Sequence, residues 1–259
     1  MSSDRSASKF WGTVTRRERW GLSWRGRMLI LGIVFLAGFV FLRGTHPFLA
    51  VTHRVPGTIL VVEGWVHDYG LNAAVKEFKT GHYSQVYATG GPVEGMGPTS
   101  SIYDTEAHRT AGLLRQAGIP AEAIHSVPAV YVGRDRTYTS AIVLRNWFRD
   151  HNLQVDSFNV LTEDAHARRT WLLFQEAMGP HTRVGIISTG NPDYDARRWW
   201  HYSAGVREVM DEGIAYLYAK FFFWPSPSEQ SAKESPGRTS LENTLFSRRL
   251  TRIMVIETN

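Results

Sequence analysis

The feature that most limits what this chain can fold into is the run from Met28 to Leu42, MLILGIVFLAGFVFL, which contains no charge and no polar side chain. A helix on the surface of a soluble domain is apolar on one stripe only. This run is apolar on every face, so it needs an apolar environment around its whole circumference. As a helix its fifteen residues rise roughly 22 Å, short of the ~30 Å hydrocarbon core. The flanks supply the remainder: Trp20 and Trp24 suit one interface, Pro47 to Val51 continue the apolar character, and Arg43 can snorkel. Residues 28–50 are therefore expected to form a transmembrane signal anchor, with a buried core helix as the alternative.

The direction of insertion is set by the arginines. Arg16, Arg17, Arg19, Arg25 and Arg27 precede the run, and only Arg43 and Arg54 come closely after it. The positive-inside rule then makes residues 1–27 a basic cytoplasmic tail and places the chain beyond the anchor outside the cytoplasm. A cleaved signal peptide is the competitor, but no small-x-small cleavage site follows the run cleanly.

The same tail accounts for the sequence pI of about 9.5. It carries seven Lys or Arg against two acids, leaving 22 bases and 22 acids of the 29 and 24 in the whole chain. The folded part is formally neutral, so no nucleic-acid partner is expected, because phosphate neutralisation drives such binding. The chain has no cysteine. That excludes disulfides, thiolate metal sites and a cysteine nucleophile.

From Thr58 onward, short β-branched runs alternate with helical patterns. Strands are expected at 58–63, 85–89, 123–127, 157–161 and 183–188, and helices at 69–79, 102–117, 139–149, 165–178 and 206–222. This alternation predicts an α/β domain over residues 55–223 with a doubly wound parallel sheet and right-handed crossovers. Residues 224–259 begin WPSPSEQSAKESPGRT and read as a disordered linker and tail.

Ligands in such sheets bind beyond the carboxyl ends of the strands, which directs attention to the loops there. Glu63, Gly64 and, a little further on, Asp68 follow the first strand; Gly90 and Gly91 follow the second. Gly64 allows close backbone approach, whereas Asp68 also fits an ordinary helix cap. Glu106 lies one turn into its helix on a stripe with Leu113 and Ala117, and His166 opens a helix on the stripe of Leu173 and Ala177. An inward carboxylate and imidazole at helix starts suit acid–base work, with Glu63 as a third candidate; a structural ion pair and a core histidine are the alternatives. Arginines gather at the same loops, and Arg136 and Arg169 are the ones best placed for an anion. His108, His125, His166 and His201 show no metal-ligand spacing, so no metal is expected, and no motif specifies a cofactor.

Five segments taken in order, TILVVEGW, YATGGP, DTEAHRTAGLLRQAGIPAEAIH, DRTYTSA and TEDAHARRTWLLFQEAMG, resemble the YdcF/SanA/ElyC family of bacterial envelope proteins over about Thr58 to Thr189. Gly90 and Gly91 match the family's double glycine, Glu106-Ala107 its next helix start, and Thr162, Asp164, His166 and Arg169 its Thr-x-Asp-x-His-x-x-Arg pattern. Two motifs depart: the glycine-rich first loop is Glu63-Gly64-Trp65, and of Asn-Thr-x-Glu-Asn only Thr137 remains. The resemblance implies a Rossmann-like domain, a divergent subgroup, and a single-pass protein of the bacterial inner membrane. It also implies a part in envelope or peptidoglycan metabolism. The expected function is action on a phosphorylated or anionic glycan or lipid-carrier intermediate, with catalytic His166, Glu106 and Glu63. Ligand contacts are expected from Gly64, Asp68, Gly90, Gly91, Arg136, Thr137, Asp164 and Arg169. The alternative is a non-catalytic module binding a nucleotide or an S-adenosylmethionine-like molecule, as one soluble branch of the family suggests.

Overall fold

The computed structural model describes residues 22–93, 105–129 and 135–225. The basic tail up to residue 21, the linker and tail from residue 226, and the expected helix start at 102–104 lie outside the described residues.

The first unit, Met1–Leu42, is described by most of one helix. That helix, α1, runs Trp24–Leu49 through 26 residues, about 39 Å of rise, and is long and apolar enough to cross a membrane. The apolar run alone is too short to span. The flanking residues at both ends are helical as well, and they supply the missing turns.

The second unit, Arg43–Asn259, holds a five-stranded, all-parallel sheet. Its strands are β1 Ile59–Glu63, β2 Gln85–Gly90, β3 Ile124–Pro128, β4 Ser157–Glu163 and β5 Arg183–Thr189. Its helices are α2 Asp68–Thr80, α3 Glu106–Gln116, α4 Arg136–Asp150, α5 Ala167–Met178 and α6 Ser203–Phe221. The strand order is β3-β2-β1-β4-β5, so this is the expected Rossmann-like, doubly wound sheet preceded by one apolar helix.

Strand side chains alternate between the two faces, and the core divides accordingly. Leu60 and Val62 of β1 pack with Leu71 and Ala74 of α2 and Leu114 of α3. Val61, between them, packs on the other face with Ile142 of α4 and Phe174 of α5. The central strands β1, β2 and β4 are buried on both faces, which is why they read as largely apolar runs. The segment after α1 blunts the outer edge of β5: His53 and Ile186 exchange backbone hydrogen bonds of 2.7 and 2.8 Å in an antiparallel bridge.

β1 and β4 are adjacent and parallel, and the order in which the chain adds strands to the sheet reverses between them. At their carboxyl ends the backbones diverge and leave a crevice. One helical register differs from expectation. The buried face of α3 is Ala107, Thr110, Ala111 and Leu114, so Glu106 stands at the helix start beside that stripe rather than on one with Leu113 and Ala117.

Candidate functional site

A cleft of about 420 Å³ opens over the β1/β4 switch point. Its floor is Glu63 at the end of β1 and His166 just after β4. Its walls come from the β1 and β2 loops and the first turns of α3 and α4, and α6 closes the back with Glu212.

His166 ends a short 3₁₀ turn, Asp164–His166, that runs directly into α5. Its Nδ1 bonds Glu212 Oε1 at 2.8 Å, and its Nε2 lies 3.6 Å from Glu63 Oε2, too far for a hydrogen bond. The Glu63 carboxylate is buried and accepts a 2.9 Å bond from Thr170 Oγ1 on α5. Burial alone would discharge the imidazole. The Glu63 charge, joined by the Glu212 hydrogen bond and charge, outweighs burial and lifts the His166 pKa to about 9. Burial likewise pushes against ionised Glu63 and Glu212, yet His166 holds both low, and with help from Arg169 it brings Glu212 to about 2. The cluster is thus an imidazolium between two carboxylates at neutral pH.

Arg169, one turn further along α5, donates from Nε to Glu212 Oε2 at 2.9 Å and from Nη1 to Asp135 Oδ2 at 3.3 Å. Its Nη2 also stands 3.0 Å from His166 Nδ1. With the imidazole protonated both are donors, so they share the Glu212 carboxylate instead of bonding one another. Asp135 in turn caps α4 by accepting from the Tyr138 N–H at 3.0 Å.

The loops are shaped by backbone contact. A Cβ on Gly64 would meet the Thr89 carbonyl oxygen and come within 2.7 Å of the Glu106 carbonyl carbon. Gly90 has φ of +154°, and a Cβ there would sit 2.9 Å from that of Glu106. Together these two glycines let α3 begin against the ends of β1 and β2, and Thr110 Oγ1 ties it down with a 2.7 Å bond to the Gly64 carbonyl. Glu106 faces the cleft and is held by Arg109 at 3.0 Å. The indole of Trp65, 38 % exposed, stands edge-on to the His166 ring with centroids 4.7 Å apart.

Two buried polar atoms of the cleft residues, His166 Nε2 and Thr89 Oγ1, make no hydrogen bond, although Nε2 faces Glu63 Oε2 across 3.6 Å. Buried polar groups are ordinarily satisfied, so both atoms retain unused hydrogen-bonding capacity. The starts of α3, α4 and α5 also converge here, and their backbone dipoles favour negative charge. Against this, among the described residues, Glu63, Glu106, Asp135 and Glu212 are set beside Arg136, Arg169 and protonated His166. The described charges nearly offset one another, and the helix starts and donors add a pull on negative charge.

Of the residues singled out in the sequence, Glu63, Gly64, Gly91, Glu106, Arg136, Thr137, His166 and Arg169 line this one cleft, with Gly90 directly behind. Asp68 does not; it is the exposed first residue of α2, and the capping position belongs to His67. Asp164 does not either. Its carboxylate is turned away and buried, receiving His46 Nε2 at 2.9 Å and the Tyr194 hydroxyl, in a residue with φ of +32°. Arg198 pairs with Asp195 on an exposed turn. Glu212, Asp135, Trp65, Thr89 and Ser140 line the cleft without having been expected. Glu212 had a legible signal: with Gly205, Glu208 and Val209 it forms a helical stripe whose other members include the buried residues of α6. Among the described residues no group of three or more His, Asp or Glu is arranged to hold a metal ion.

The class that fold and site define is a doubly wound α/β protein with a charged, donor-bearing cleft at its switch point, behind one helix able to cross a membrane. No family model, no curated protein and no solved structure matches the chain.

Proposed function

We propose that this is a membrane-anchored envelope protein whose cleft binds and transforms a phosphorylated or otherwise anionic glycan or lipid-carrier intermediate. The observation that carries the reading is a pair of buried donors that make no hydrogen bond, His166 Nε2 and Thr89 Oγ1, at a cleft where three helices begin. Oxygen atoms of a phosphate or carboxylate satisfy such donors. With its pKa near 9, His166 enters the reaction as an acid: it donates its Nε2 proton to a departing oxygen and takes a proton back from water when the product leaves, while Glu63 stays ionised and favours the charged ring. Glu106 is the carboxylate placed to orient or deprotonate an attacking hydroxyl or water, and Trp65 offers a flat face for a sugar ring. Glu212 and Arg169 are positioning residues, since their contacts are with His166, with Asp135 and with one another.

A specific observation favours the second reading, a binding module without turnover. His166 and Arg169 are already engaged by carboxylates, as in a static network. Incubating the purified full chain with polyprenyl phosphate and sugar phosphates separates the two. Phosphate release or group transfer that disappears in Glu106→Gln supports the enzyme. Saturable binding without product supports the module, and neither binding nor product would remove both.

The anchor reading comes with an orientation, N-terminus in the cytoplasm and the α/β domain outside it, at the bacterial inner membrane. Its support is the arginine asymmetry around α1.

A further inference from the structure

Helix α6 has two apolar faces. Gly205 and Val209 point into the domain. Val206, Met210, Ile214, Leu217 and Phe221 fall at helical spacing on another stripe, and all five are between 38 and 63 % exposed. The stripe is roughly 22 Å long, and Trp224, 73 % exposed, follows it. Exposed Arg207 and Lys220 flank it on either side, with a single exposed acid, Asp211, further round. A continuous apolar surface of this kind is unusual on a domain surrounded by water.

What covers it is indicated by the chain that leads into the domain. Phe48 packs edge-on against Tyr216 of α6 at 5.4 Å, the Arg168 guanidinium lies over the Phe48 ring at 4.2 Å and bonds its carbonyl at 2.6 Å, and Leu49 is buried. The last turn of the apolar helix is therefore fastened to α6 itself. The residues packed on α6 are thus the ones that continue directly from the apolar helix.

We infer that this face of α6 lies in the interfacial layer of a lipid bilayer as an in-plane amphipathic helix. The inference rests on the membrane-spanning reading of α1. Apolar side chains enter the acyl boundary, Arg207 and Lys220 meet headgroup phosphates, and Trp224 sits at the headgroup level, the arrangement of an interfacial helix. Glu212 projects from the inward face of the same helix to His166. The cleft is thereby held about one helix diameter, ~10 Å, above the lipid, within reach of a substrate headgroup still attached to its lipid.

The cysteine-free chain permits a direct test. Nitroxides are attached at Ile214→Cys, Phe35→Cys or Glu122→Cys in the full chain, reconstituted into vesicles of phosphatidylethanolamine and phosphatidylglycerol. Collision with oxygen is then compared with collision with a water-soluble nickel chelate. The expected result is a Phe35 label deep in the bilayer, an Ile214 label at interfacial depth and a Glu122 label in water. A deep Phe35 label with a water-exposed Ile214 label overturns the inference and leaves the anchor standing. A water-exposed Phe35 label removes the anchor and the inference together. An Ile214 label shielded from both reagents also overturns it: broadening lost on dilution with unlabelled protein means a second copy covers the face, and no broadening means the chain's own tail does.

Discussion

His166 is held under opposed forces, and their balance makes a stability prediction with a definite sign. Its folded pKa, about 9, lies above the ordinary 6.5, so its charge contributes stability that is complete below about 6.5 and is lost as pH rises through 9. Glu212, depressed to about 2, contributes stability that is complete above about 4.5 and is lost as pH falls through 2. Melting temperature should therefore be flat for this cluster between roughly pH 4.5 and 6.5 and fall on both sides. The alkaline limb, at most about 3 kcal/mol, should disappear in His166→Gln. A limb of equal size in the variant would assign it to other groups. Arg169 gives a second prediction. Its removal strands Glu212 and Asp135, so Arg169→Ala should cost about 3 kcal/mol in urea unfolding. Arg198→Ala, which breaks only an exposed pair, should cost under about 1. Similar costs for the two would mean that Arg169 is surface charge.

At the scale of elements, the two loop glycines hold three chain segments in contact. Gly64→Ala forces the β1 loop off the Thr89 carbonyl and the start of α3, so it should destabilise by about 2 kcal/mol and loosen the cleft. Gly32→Ala in α1, which meets nothing within 4 Å, should leave melting unchanged. An unchanged melting temperature for Gly64→Ala would contradict the close packing described. The sheet itself was legible in the sequence because its central strands are buried on both faces and read as apolar runs with helical patterns between them. The His166 register was legible because α5 keeps strict helical spacing through Thr170, Leu173 and Ala177. Glu106 was misregistered by one position because α3 begins at a loop contact, and side-chain periodicity carries no information about that contact. Asp164 looked like a site residue from its motif neighbours. A tight turn with positive φ reverses its side chain toward His46 and Tyr194, and no spacing rule reveals such a reversal. Glu212 lies 46 residues from its partner, so only the tertiary path of α6 unites them.

The whole molecule couples a helix able to cross a membrane with a cleft built at the switch point of a parallel sheet. If the arginine asymmetry directs insertion, alkaline phosphatase joined after Asn259 should be active and a fluorescent protein there dark. Fluorescence without phosphatase activity would reverse the orientation. In the proposed reaction the proton donor of the cleft is a buried imidazolium kept charged by two carboxylates. Nitrogen NMR of the histidine-labelled full chain in detergent micelles, titrated from pH 5 to 10, reads that charge directly, and His166→Gln identifies the resonance. This one imidazole should keep its protonated shifts until about pH 9. A resonance that titrates at or below the ordinary 6.5 would show a neutral His166 at physiological pH and contradict its role as the acid.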